Sequence, residues 1–211
     1  MIDWNLPPGE IERRSFEIID AESPRHQWDN RSWQVVRRMV HTSADFEYVS
    51  SVIMHAKAID AGIAALQAGK RIVTDTTMAL SGLSPGKLKP FNIEKACLIG
   101  DEATARLAKE RNTTRAAAAI DLALEQGGVG IFVIGNAPTA LFRLLEQVER
   151  GANPPDLIVG LPVGFVNAAE SKDALAQSSI PHITNKSRKG GSNVAASVVN
   201  ALAGLAVEGA K

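Results

Sequence analysis

The sequence predicts an open, doubly wound α/β fold: a mainly parallel five-stranded sheet behind an N-terminal helical segment. Between residues 71 and 185, five short apolar or β-branched runs alternate with amphipathic helical patterns. Runs this short and this apolar suit strands covered on both faces, joined by helical crossovers. A hydrophobic content of 45% over 211 residues supports one sizeable core. Residues 1–211 are therefore read as a single domain, with a mainly helical part over 1–70 and an α/β core over 71–211.

In order, Pro7-Pro8 ends an extended lead-in, and Pro8 suits the start of a helix whose positive end Glu10 and Glu12 favour. Ile11, Ile18 and Ile19 fall on one face of that helix, and Ser23-Pro24 stops it. A second helix is expected over 30–40, with Trp33, Val36 and Val40 at helical spacing, and a third over 51–68, closed by Gly69. Strands are expected at 71–74, 95–99, 130–134, 156–160 and 182–184, and helices at 102–110, 115–126, 138–150 and 168–177. This alternation and size suggest a flavodoxin-like arrangement. The last helix places Ala195, Val198, Val199, Leu202, Leu205 and Ala206 on one apolar stripe.

Charge narrows the function classes. Lys+Arg and Asp+Glu are both 23, which argues against a general nucleic-acid binder or a polybasic membrane module. The single cysteine, Cys97, excludes an internal disulfide and fits a reducing compartment; it falls in an expected strand, where a core role is simpler than a ligand role. No apolar stretch reaches the ~20 residues of a membrane span, and the first ten residues lack a signal-peptide layout. A cytoplasmic protein is expected.

Several segments carry chemistry. Gly128 and Gly130 precede their strand, so they do not form a dinucleotide fingerprint. Gly135-Asn136-Ala137-Pro138 follows it as a turn into a helix, where free N–H groups favour anions, although an ordinary strand–helix turn also explains it. Lys186-Ser187-Arg188-Lys189-Gly190-Gly191 sets three cations beside two glycines and a helix cap, Ser192 or Asn193. It has the form of a phosphate or carboxylate site, and its glycines would let backbone approach a ligand. Thr113 or Thr114 can cap a helix that opens on Arg115, a cation at the wrong end of the dipole. His41 sits at the end of the second helix, where the dipole favours imidazolium and Arg37 and Arg38 oppose it. On spacing alone a capping or surface histidine is the simpler reading. His26, His55 and His182 are scattered, and no pair has metal-ligand spacing.

Taken together, I-E-R-R-S-F-E-I-I at 11–19, R-R-x-x-H-T-S-A-D-F at 37–46, V-T-D-T-T-M-A-L-S-G at 73–82, the helix start at 113–115, G-N-A-P-T-A-L at 135–141 and G-L-P-V-G-F-V-N-A-A-E at 160–170 resemble the precorrin-8X methylmutase family. The likeness continues through 187–193 and covers nearly the whole chain in order. It implies a flavodoxin-like fold, a homodimer and no organic cofactor or metal. It further implies migration of a methyl group from C11 to C12 of precorrin-8X, or of cobalt-precorrin-8, giving hydrogenobyrinate or cobyrinate. His41 aligns with the family's catalytic histidine, which reverses the reading from spacing. With such a polyanionic corrinoid substrate, Arg14, Arg38, Arg115, Lys186 and Arg188 are expected to hold carboxylates, with Ser15, Thr42, Asn136 and Ser192 as hydrogen-bonding neighbours. Product hand-off to the next pathway enzyme is a further expectation. The competing expectation is a non-catalytic α/β module that binds a tetrapyrrole or another polyanionic small molecule. A nucleotide-dependent oxidoreductase is disfavoured by the misplaced glycines.

Overall fold

The structure, a computed structural model, describes residues 6–209, so most of the lead-in ahead of Pro7 lies outside the described residues. The chain opens with two long helices, α1 (Pro8–Glu22) and α2 (Asn30–Ser43). Pro8 stands at the first position of α1, and Asp29 caps α2 by accepting from the Arg31 and Ser32 amides. Of the three isoleucines expected on one face of α1, only Ile19 is buried; Ile11 and Ile18 are exposed. The core side of α1 is carried instead by Phe16, which packs against the same cluster as Ile19.

The third expected helix is a correction. Its span holds the end of a short helix α3 (Tyr48–Ser51), a strand β1 (Val52–Met54) and then helix α4 (Ala58–Gln67). Val52-Ile53-Met54 reads as helix because its apolar side chains continue the neighbouring pattern. Its strand state comes from a partner: β1 pairs antiparallel with β6 (His182–Asn185), Val52 facing Asn185 and Met54 facing Ile183. The sheet therefore has six strands, and the N-terminal part is not purely helical.

The remaining strands fall where the apolar runs are. They are β2 (Arg71–Thr74), β3 (Lys95–Ala96), β4 (Val129–Ile134) and β5 (Leu157–Gly160). β3 is shorter than expected, so Cys97 lies just beyond it, half-buried. The sheet order is β1-β6-β5-β4-β2-β3, parallel throughout except for β1. Two short helices that the sequence reading did not anticipate, α5 (Thr77–Gly82) and α6 (Pro85–Leu88), follow β2. The other crossovers are α7 (Glu102–Glu110), α8 (Arg115–Gln126), α9 (Pro138–Glu149) and α10 (Ala168–Ala176).

Helices cover both faces of the sheet. One core joins α2, α4 and the last helix, α11 (Ser192–Glu208), to Ile72, Ile131, Val133, Leu157, Val159 and Ile183. The other joins α8, α9 and α10 to Val73, Phe132, Ile134 and Ile158, the alternate strand positions. Every residue of the expected α11 stripe is buried. So are Ala196, Ser197 and Ala203, because α2, α4 and α5 all pack against this helix. Small side chains permit that close approach: a Cβ on Gly82 would sit 2.8 Å from Ala196 Cβ.

Candidate functional site at the carboxyl edge of the sheet

Parallel strands with helical crossovers bring the strand–helix turns to one edge. From β2 the parallel strands follow in chain order on both sides, β3 on one and β4, β5 and β6 on the other, so the switch point lies between the carboxyl ends of β2 and β4. Asp75 stands there. Its buried carboxylate accepts from the amides of Gly135 (2.9 Å), Asn136 (2.8 Å) and Ala137 (2.8 Å). The turn expected to offer free N–H groups to a ligand has therefore already received an anion from its own chain. Burial pushes the Asp75 carboxyl upward and the three amides oppose that shift.

The β6–α11 loop is built against the neighbouring β5–α10 loop. The Gly191 amide donates to Leu161 O at 2.9 Å, and the Gly164 amide donates to Arg188 O at 3.2 Å. A Cβ on Gly190 would meet Leu161 O at 2.2 Å. These glycines thus let two loops of the protein approach each other, rather than a ligand. Ser192 does not cap α11, whose cap is Gly191; its hydroxyl pairs with that of Thr76 at 2.8 Å. Beneath the loop lies Lys172 of α10, 1% exposed, whose ammonium donates to Lys189 O (2.6 Å) and Asn185 Oδ1 (3.1 Å). Burial pushes its pKa down to about 8.

The end of α2 meets this edge through its connection to β1. Ala44 terminates the helix in a left-handed conformation, and Asp45 and Glu47 both pair with Lys189, at 2.6 and 2.8 Å. His41 occupies the last turn of α2 with its ring centroid 5.3 Å from that of Phe16. Arg37 and Arg38 both lie against the Phe16 ring, at 4.3 and 4.6 Å. Burial lowers the His41 pKa, Arg38 and Lys87 of α6 lower it further, and Glu12 opposes them. The sign left open by the sequence is thus downward.

The predicted residues separate into groups. Asn136, Lys186, Arg188 and Ser192 lie on the carboxyl edge, all but Ser192 exposed. Arg115 joins them because Thr114, the cap of α8, donates to Thr139 in the first turn of α9 at 3.0 Å. His41 and Thr42 are half-buried at the end of α2. Arg38 is already engaged by Glu12 at 2.5 Å and is largely covered, and Arg14 is engaged by Glu10 at 2.6 Å. The Ser15 hydroxyl donates to Ile11 O. His55 and His182, distant in sequence, come together with ring centroids 5.6 Å apart, at the opposite edge, where β6 begins.

Sequence reasoning passed over the apolar part of the site. Met78, Val163, Phe165 and Val166 are exposed large side chains on this edge, Phe165 at 83%, with Arg188 5.6 Å from its ring. Exposed apolar groups beside cations suit a ligand with a broad apolar face and charged margins. The signal was present in G-L-P-V-G-F-V, whose apolar residues no strand or helix period explains. Lys172 and Asp75 gave no such signal, since both draw their meaning from long-range contacts. A groove of about 670 Å³, lined by Thr113, Phe142, Arg143 and Glu146, lies on the α8–α9–α10 face and includes none of the predicted site residues.

An α/β fold whose carboxyl edge combines fixed loops, cations and exposed apolar side chains is of the class that binds small molecules at that edge, and its lining suits a large, anionic one. The sequence profile described as precorrin-8X methylmutase matches residues 10–205. A cobalt-precorrin-8 methylmutase of Priestia megaterium is 43% identical over 97% of this chain and 91% of its own length. A precorrin-8X methylmutase of Pseudomonas aeruginosa is 39% identical over 96% of this chain and 98% of its own length. The crystal structure of a precorrin-8x methyl mutase from Thermus thermophilus superposes with a TM-score of 0.89 at 41% identity, covering 95% of this chain and 97% of that one. The chain belongs to the precorrin-8X methylmutase family and is a methylmutase, an isomerase of cobalamin biosynthesis.

Proposed function

We propose that this protein moves a methyl group from C11 to C12 of precorrin-8X or cobalt-precorrin-8, giving hydrogenobyrinate or cobyrinate, with His41 as general acid and base. The observation that carries this reading is the half-buried His41 beside Phe16 at the end of α2, within a family match that spans nearly the whole chain. The bond to C11 breaks as the bond to C12 forms, so no atom enters or leaves. His41 lends a proton to the macrocycle, which makes the ring a better methyl acceptor, and recovers it afterwards. An imidazole whose pKa is lowered by burial gives a proton up readily once it holds one.

The exposed Met78, Val163, Phe165 and Val166 would contact the macrocycle face, while Arg115, Lys186 and Arg188 meet its carboxylates. Asn136, Thr42 and Ser192 would act at its margins. Arg14, Arg38 and Ser15 keep the substrate role implied by the resemblance only if binding exchanges their present partners, Glu10, Glu12 and the Ile11 carbonyl. The parallel order β3-β2-β4-β5-β6 supports a flavodoxin-like reading of that part of the sheet. We take 1–211 as one domain that works as a homodimer in the cytoplasm and passes its product to the next enzyme of the pathway. Among the described residues no helix is long and apolar enough to cross a membrane.

The test is an absorbance time course of purified protein with precorrin-8X and, separately, cobalt-precorrin-8, because the methyl shift changes ring conjugation. Conversion of either form supports the proposal and identifies the substrate. No conversion of either, with or without product binding, overturns it.

A further inference from the structure

The four helices around Phe16 leave a cavity of about 240 Å³ between α1, α2, α6 and α11, lined by Glu12, Phe16, Arg38, Lys87, Asn200 and Glu208. It is too small for a corrinoid macrocycle and large enough for one of its carboxylate arms. The arginines that line it each hold a carboxylate: Arg37 pairs through Nη1 with Asp20 at 2.6 Å, its buried Nε finding no partner among the described residues, and Arg38 pairs with Glu12 at 2.5 Å. Lys87 holds none. It is half-buried and makes no hydrogen bond or ion pair with a described residue. We propose, building on the methylmutase reading above, that Lys87 receives a carboxylate arm of the substrate in this cavity, and that the arm's charge lets the neighbouring His41 take up its proton.

The charged groups that face Lys87 support this. Glu12 is engaged by Arg38, Glu208 lines the cavity from the end of α11, and Arg38 adds a like charge. Burial and Arg38 together lower the Lys87 pKa, so an incoming anion relieves a strained cation. The charged groups that shift His41 are Arg38 from its own helix, Glu12 from α1 and Lys87 from α6. Burial, and two cations against one carboxylate, disfavour the charged form of its imidazole. A substrate carboxylate on Lys87 reverses that balance, so the acid is charged only when the ring that needs protonation is present. By linkage, protonation of His41 tightens binding by the same factor.

Hydrogenobyrinate serves as the probe, with Lys87→Met and the charge-preserving Lys87→Arg. Lys87→Met should weaken its binding about tenfold, the scale of one lost charged hydrogen bond. By NMR titration of the His41 ring, the product should raise the imidazole pKa of the wild type. The free Lys87→Met protein should already titrate higher and respond less to product. Lys87→Arg should restore both behaviours, which a purely structural lysine would not predict. Wild-type turnover with unchanged binding and unchanged His41 titration in Lys87→Met overturns this inference alone. Absence of turnover and of product binding in the wild type overturns it together with the methylmutase reading.

Discussion

Replacing Lys172 with methionine separates the cost of a buried charge from its use. A fall in the lysine pKa from 10.5 to about 8 means that the fold disfavours the ammonium by roughly 3 kcal/mol. Below pH 8 both folded and unfolded chains carry the proton, and the full penalty is present. Between 8 and 10.5 the unfolded chain still binds it while the folded one releases it, so stability rises with pH across that window. Above 10.5 the penalty is gone. Lys172→Met removes this dependence. At pH 7 it relieves the penalty but leaves Asn185 Oδ1 without its donor and Lys189 O with only the bond from Asn185 Nδ2, a loss of about 1–3 kcal/mol. The two effects nearly cancel. The variant should therefore melt close to the wild type at pH 7 and fall below it by roughly 2 kcal/mol or more by pH 9.5. Its KM should rise at pH 7, because Lys189 and the cationic loop around it lose one of the bonds that fix them. Denaturant titrations at several pH values make the comparison. A stability difference that does not change between pH 7 and 9.5 refutes the reasoning, since it would mean that Lys172 releases no proton on folding in that range.

Three other perturbations test the remaining arguments. Asp75→Asn places an amide group against three backbone donors and should destabilise by about 2–4 kcal/mol in denaturant melts; a variant as stable as wild type would show that those bonds are dispensable. His41→Ala should lower kcat by about 10²–10⁴ while product affinity stays within a few fold, and the wild-type kcat/KM profile should show its ionisation below 6.5, because burial and the neighbouring cations disfavour imidazolium in the free enzyme. Gly190→Ala drives a methyl into the Leu161 carbonyl and should cost about 1–3 kcal/mol, with a raised KM from the displaced loop, whereas the same change at Gly86, where nothing lies within 4 Å, should leave KM unaltered.

Local pattern accounts for the part of the architecture that was legible in advance. Strands β2 to β6 and helices α7 to α10 could be read directly, because short apolar runs and helical periods are properties of neighbouring residues. The order of motifs likewise identified the family before any contact was known. Strand β1 was not legible: its three apolar residues suit a helix equally, and only the unpaired edge of β6 makes them a strand. The exposure of Ile11 and Ile18 followed from where α1 rests, which periodicity alone does not report.

For the site, the residue types were present in the sequence but their availability was not. Arg14 and Arg38 look like open cations until Glu10 and Glu12 are placed beside them, and the Gly135 turn looks like an anion site until Asp75 fills it. Lys87 and Lys172 look like ordinary surface lysines. Hydrogen-bond partners, burial and charge balance arise from residues far apart in the chain, as Asp75 and Asn136 or Lys70 and Asp156 are. The sequence by itself determined the layered α/β class, the family and the position of His41. The tertiary structure decided which of its cations are already neutralised and which remain for a ligand, because a charge's effect depends on its neighbours in space and its distance from water.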